Sequence, residues 1–197
     1  MDTETRRNQI INATLRIIAE KGIVHFKTAE IAREVGVSEG AIFRHYRSKE
    51  EIVRAVQDYI RETLLGGAHA VLEKAGPGPR EKIGALLRFH LSLIEENPGI
   101  PRLFFSGESL ADRGDLKELM GKTVHDFLEI LREIFRQAKE EGILREEVDL
   151  EMAAEAYLGV VQVAMLRWIL AGRNFSLISR YERIFKFLTL CLFRAKR

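Results

Sequence analysis

The chain has 197 residues, 46% of them apolar and 30% charged, with 31 Lys and Arg against 29 Asp and Glu for a net charge of +2. That length supports one or two compact units with a real core, and the composition is that of a soluble globular protein. So slight a charge does not itself point to nucleic acid, and no run approaches the roughly 20 apolar residues of a membrane span.

No stretch alternates polar and apolar residues for long enough to read as a strand. Apolar residues instead recur every three or four positions, as at Ile10, Ile17 and Ile18 and at Val124, Phe127, Leu128 and Leu131. The fold class is therefore all-α. Taken in order, the pattern predicts nine helices, at about 3–21, 28–35, 39–45, 49–75, 80–96, 98–107, 114–141, 150–171 and 177–195. Ser38 follows Gly36-Val37 as an N-cap, and Ser48-Lys49-Glu50-Glu51 is a capping box. Pro79 and Pro98 suit a first turn, where no N–H is needed, and Asp149 and Ser176 open the last two helices. Gly22, Gly142 and Gly172 fall where helices stop, and Gly76-Pro77-Gly78-Pro79 is the clearest linker. Gly66-Gly67 interrupts the fourth helix at roughly 1 kcal/mol per glycine, which marks either a close packing contact or a hinge. Cys191 lies in the apolar run from Leu188 to Phe193 and reads as core. The three short helices, followed by long ones, divide the chain into an N-terminal unit, 1–48, and a larger bundle, 49–197. Met1-Asp2-Thr3-Glu4 lacks the pattern of a signal peptide, and with one cysteine there is no disulfide framework, so a cytoplasmic protein is expected.

The informative segment is TAEIAREVGVSEGAIFRHYRSKEEI, from Thr28 to Ile52. Two short helices are joined by Gly36-Val37-Ser38, with Gly36 supplying the unusual backbone geometry of the turn. Ile31, Ala32, Val37 and Ile42 supply the apolar contact that fixes the crossing. Gly40 and Ala41 carry almost no side chain near the second helix's start, so its backbone can lie close to the floor of a DNA major groove. Arg44, His45, Tyr46, Arg47 and Lys49 cluster beyond it, as phosphate-clamping residues should.

The pattern Ile-Ala-x-x-x-Gly-Val-Ser-x-Gly-x-Ile-aromatic-x-His-aromatic-x-Ser-Lys, matched throughout from Ile31 to Lys49, resembles the helix-turn-helix signature of the TetR/AcrR family of bacterial transcriptional regulators. The resemblance implies contacts to double-stranded DNA from Ser38, Gly40, Ala41, Arg44, His45, Tyr46 and Lys49, with Lys27 and Thr28 near the backbone. Position 43, often Tyr in the family, is Phe43 here. A phosphate-facing hydroxyl is thereby lost, leaving Tyr46 or Arg44 to compensate and Phe43 to pack. The resemblance further implies a homodimer through the last two helices and a repressor released from a palindromic operator by its ligand.

In the bundle, the small-residue stripe Ala153, Ala156, Gly159, Val160, Val163 and Ala164 and the apolar face Phe185, Leu188, Leu192 and Phe193 fit the dimer interface. Phe89, His90, Leu93, Phe104, Phe105, His125, Phe127, Gln162, Met165 and Trp168 combine bulky apolar groups with a few polar ones. That is the composition of a pocket for a small apolar or aromatic effector, and equally of a core. No enzyme is expected. Gly-x-Ser-x-Gly and phosphate-loop motifs are absent, the five histidines lack metal-ligand spacing, and no cofactor is implied. Glu95-Glu96 and Glu146-Glu147 read as solvated charges at helix ends. A competing reading is a chromosome-organising regulator with a protein partner, which Asn97-Pro98-Gly99-Ile100-Pro101-Arg102-Leu103 resembles loosely.

Overall fold

The computed structural model describes residues 2–23, 25–105 and 114–195, apart from the side chains of Phe104, Phe105 and Asp115. Among the described residues there are nine α-helices and no strand: α1 (Thr3–Lys21), α2 (Thr28–Val35), α3 (Glu39–His45), α4 (Lys49–Lys74), α5 (Pro79–Glu96), α6 (Gly99–Phe105), α7 (Gly114–Glu140), α8 (Leu150–Leu170) and α9 (Tyr181–Leu192). The local signals act as the sequence indicates. The Ser38 hydroxyl accepts from the Ala41 N–H at 3.2 Å and the Asp149 carboxylate from the Met152 N–H at 3.0 Å. Ser48 accepts from the Glu51 N–H, but the Glu51 carboxylate reaches back to the Arg47 N–H, one residue earlier than in the usual box.

The last helix departs from expectation at both ends. It starts as a 3-10 turn, Ile178–Arg180, whose first N–H groups are covered by a side chain from elsewhere. The Glu95 carboxylate of α5 accepts from the Ile178 N–H at 2.7 Å and the Ser176 hydroxyl at 3.2 Å. Glu95 is thus a structural cap, not a solvated charge. At the other end the helix stops at Leu192 because the chain turns extended and pairs with the segment after α7. Phe193 bridges Leu144, the Arg145 N–H donates to the Leu192 carbonyl, and the Arg194 N–H donates to the Ile143 carbonyl.

Two compact units result: Met1–Thr63 with Asn97–Gly121, and Leu64–Glu96 with Lys122–Arg197. The first of these units passes to the second within α4, between Thr63 and Leu64. In the first unit, α6 joins the N-terminal helices by packing on α1. The approach is so close that a Cβ on Gly99 would stand 2.2 Å from the Leu15 carbonyl oxygen. The Arg102 guanidinium donates to the Glu20 carbonyl at 3.0 Å, satisfying an end of α1. In the second unit, α9 packs on α5 and α8, and Phe185, near Gly84 of α5, stacks on Tyr181.

The paired glycines of α4 have different surroundings. A Cβ on Gly67 would fall 2.2 Å from the Phe89 ring, whereas one on Gly66 would meet nothing within 4 Å. Close packing therefore accounts for Gly67 and leaves Gly66 unexplained. Gly66→Ala should raise stability by about 0.5–1 kcal/mol, the ordinary helix gain. Gly67→Ala should lower it by about 1 kcal/mol through the displaced ring. In a Phe89→Ala background, Gly67→Ala should instead stabilise, and denaturant titration of the four proteins closes that cycle.

Candidate functional site

The turn between α2 and α3 has the geometry its sequence calls for. Gly36 sits in the left-handed region at φ 74°, ψ 38°, and the Val37 N–H bonds back to the Ala32 carbonyl. Ile31, Ala32 and Ile42 are buried where α2 and α3 pack. Ile42 on α3 and Tyr46, the residue that caps its end, are buried, and the opposite side carries Gly40, Phe43 and Arg44, all exposed. Gly40 has ordinary backbone angles, and nothing lies within 4 Å of where its Cβ would be. No neighbour within the described residues accounts for glycine there.

The expected DNA contacts divide accordingly. Lys27, Ser38, Gly40 and Arg44 are exposed, and Thr28, Ala41, His45 and Lys49 are half-buried around them. The Thr28 hydroxyl donates to the Glu39 carboxylate, tying the starts of α2 and α3 together. The Lys49 ammonium lies 4.2 Å from the centre of the buried Phe26 ring, which positions its charge at the start of α4. Tyr46 requires correction. It is buried, with its hydroxyl's pKa raised by desolvation: the chain leaves α3 at Tyr46 in an extended conformation, and its ring lies under Arg7 rather than open to phosphate. Phe43, read as a packing residue, is instead 43% exposed on the Gly40–Arg44 side.

Sequence reasoning missed Arg6 and Arg7. Arg7 donates to the His45 carbonyl at 3.2 Å and stacks over the Tyr46 ring at 5.2 Å, holding the end of α3 to α1. Arg6 donates to the Val35 carbonyl at the end of α2. Their signal was position: basic side chains in the first turns of α1, ahead of its apolar stripe.

The second unit holds a buried aromatic cluster. His90 of α5 meets the Phe127 ring of α7 edge-on at 4.9 Å and stacks on Tyr157 of α8 at 6.1 Å. His90 Nδ1 and the Tyr157 hydroxyl are buried without a hydrogen-bond partner among the described residues. Each such orphan costs about 1–3 kcal/mol. Burial pushes the His90 imidazole down to about 4 and the Tyr157 hydroxyl well above its usual value. Leu93, Met165 and Trp168 are buried, and Phe89 is half-buried against Gly67. The Trp168 indole is already satisfied by the Phe175 carbonyl at 2.8 Å. His125 and Gln162 are corrections: both are exposed, His125 lying 3.7 Å from Glu129, because each falls on the outer side of its helix. The side chains of Phe104 and Phe105 lie outside the described residues. Tyr157 went unnoticed in sequence, although Tyr157, Val161, Met165 and Trp168 share one buried stripe.

The outer sides of α8 and α9 are apolar. Of the seven exposed large apolar side chains among the described residues, six are here: Met152, Val163, Leu166, Leu170, Phe187 and Leu190. A groove between the helices is floored by Val160, Val163, Ile184 and Phe187 and edged by Arg167 and Arg183. The face predicted from Leu188, Leu192 and Phe193 is instead interior, and Cys191, expected in the core, is exposed beside Phe187 and Leu190. α8 is apolar enough to pass for a membrane span, with a mean hydropathy of 1.3 over 18 residues, a third of them buried.

Family models match both parts of the chain: bacterial regulatory proteins of the tetR family over residues 10–56, and the C-terminal region of YsiA-like proteins over residues 69–191. The chain belongs to the tetR family. This makes it a DNA-binding transcriptional regulator with a helix-turn-helix formed by α2 and α3. Among tetR-family relatives and similar structures, a nucleoid occlusion factor of Vibrio vulnificus is 25% identical over 93% of this chain and 94% of its own. The fatty acid degradation regulator FadR of Bacillus halodurans superimposes with a TM-score of 0.81 at 20% identity, covering 93% of this chain and 94% of that one. FadR of Bacillus subtilis, solved in complex with stearoyl-CoA, gives 0.77 at 21% identity, covering 92% and 96%.

In this tetR-family protein the folded state binds a proton at His90 more weakly, at about 4, than the unfolded chain does at about 6.5. Its contribution to stability is complete above pH 6.5 and is lost as pH falls toward 4. The loss should reach about 3 kcal/mol, and denaturant titrations across that range should show a shallower decline for His90→Phe.

Proposed function

We propose that the protein is a repressor that binds a palindromic operator as a homodimer and releases it when an apolar or aromatic effector occupies the second unit. The observation that carries the DNA-reading part is Gly40. A residue without a side chain, in open space on the exposed side of a short helix, lets that helix's backbone approach an outside surface closely. Arg44 beside it offers donors to base edges and phosphates, and Lys49 offers charge to phosphate at a helix start. Lys27, Ser38, Ala41 and His45 complete the contact surface.

The exposed faces of α8 and α9 support the dimer. A helix apolar on both sides needs cover on both, and a second copy related by a two-fold axis supplies it. The same two-fold places two recognition helices about 34–36 Å apart, matching half-sites one DNA turn apart. Support for an effector comes from the aromatic cluster around His90 and from similarity to a regulator solved with stearoyl-CoA. The protein acts where its operator is, in the cytoplasm.

The 25% identity to a nucleoid occlusion factor favours a second reading, in which the DNA-bound protein engages a protein partner and its sites are scattered over the chromosome. Fluorescence anisotropy against the DNA upstream of its own gene, with random DNA as competitor, separates the two. Preference by about a thousandfold or more establishes the repressor, whereas weak, salt-sensitive binding to both favours the second reading.

Three substitutions test the contact assignments. Gly40→Leu should leave thermal stability within about 1 kcal/mol of wild type and reduce operator binding at least about tenfold. Lys49→Ala should weaken binding to all DNA and lower the salt slope by about one. Arg44→Ala should in addition narrow the gap between operator and random DNA, and equal loss on both would remove it from base reading.

A further inference from the structure

Two polar atoms inside the second unit are left without partners on adjacent rings. His90 on α5 and Tyr157 on α8 stack at 6.1 Å with an interplanar angle of 17°, and Phe127 closes a third side. Neither His90 Nδ1 nor the Tyr157 hydroxyl has a hydrogen-bond partner among the described residues. Buried polar groups in folded proteins are almost always paired, so two orphans on stacked rings call for a bonding group from outside the chain. We infer that the effector is an apolar molecule carrying an uncharged carbonyl or hydroxyl, seated so that this oxygen bonds both His90 Nδ1 and the Tyr157 hydroxyl.

The chemistry of the pair selects that class. Tyrosine offers an O–H donor, and neutral imidazole presents Nδ1 as donor or acceptor according to tautomer. A carbonyl accepts from both groups; a hydroxyl donates to bare Nδ1 while accepting from tyrosine. A carboxylate would carry its charge in among the three rings. A buried charge needs a paired cation, and among the described residues no basic side chain bonds either orphan atom. Burial also keeps His90 uncharged near neutrality, so it supplies no counter-charge of its own. The inference rests on the reading of the second unit as effector-binding and adds to it the polar group the effector must bear.

The test uses the full chain with methyl decanoate, 1-decanol, decane and sodium decanoate, read by calorimetric titration and thermal shift at about pH 7. The ester or the alcohol should bind wild type at least about tenfold more tightly than decanoate or decane. Tyr157→Phe and His90→Phe should each weaken that binding about tenfold. Unliganded Tyr157→Phe should melt no lower than wild type, because it loses only an unpaired hydroxyl. Decanoate binding as tightly as the ester, unchanged binding in both variants, or a fall of about 3 °C or more in unliganded Tyr157→Phe each overturns the inference. Failure of every probe to bind wild type overturns it too, and operator binding by the same preparation then decides the repressor reading separately. An ester that binds as expected but leaves the operator complex intact upholds the site and removes ligand-driven release.

Discussion

A helix of seven residues has almost no stability of its own, because nucleation fixes several residues before hydrogen bonds repay the cost. α3 holds its shape by driving Ile42, and Tyr46 just past its end, into the interior, and that orientation decides which residues stand outward. With these two inside, Gly40, Phe43 and Arg44 must face out. The remaining contacts reinforce the same orientation: Ser38 caps the start, Thr28 grips Glu39, and Arg7 spans from α1 to the His45 carbonyl and the Tyr46 ring. A basic side chain of α1 thus helps fix how α3 presents its outer side.

The inner and outer sides of α8 pose a different problem for the chain. Tyr157, Val161, Met165 and Trp168 occupy the buried side, yet the outer side is nearly as apolar, with Val163, Leu166 and Leu170 in the open. Such a helix carries little amphipathic signal, because both of its sides are apolar. The two sides differ in their polar groups, the outer one carrying Glu155, Gln162 and Arg167. On the inner side the Trp168 indole finds a carbonyl, and the Tyr157 hydroxyl finds none.

What could be read from the sequence follows from the range of the interaction involved. Gly36 in its left-handed turn, the Ser38 and Asp149 caps and the ends of the first three helices depend on neighbours within four residues, and these were legible. Spacing showed that an apolar face existed but not which way it turned. Leu188, Leu192 and Phe193 went inward while Phe187, Leu190 and Cys191, about a hundred degrees round α9, stayed out. His125 and Gln162 lie outward for the same reason, and the motif that places Tyr46 beside the DNA contacts does not show that its ring turns inward where the chain leaves α3. Glu95 was beyond reach, because its partners at Ser176 and Ile178 lie some eighty residues away.

The order in which elements join their units bears on synthesis. The N-terminal unit is completed by α6, whose Gly99 backs onto Leu15 and whose Arg102 closes the end of α1. Emerging from the ribosome, the first three helices therefore wait for a segment some fifty residues downstream of α3. The second unit waits longer, since α5 receives α9, and Leu144 its bridge partner Phe193, only from far along the chain. An unfinished chain stalled before α9 would display the apolar side of α5, a surface for chaperones rather than for an operator.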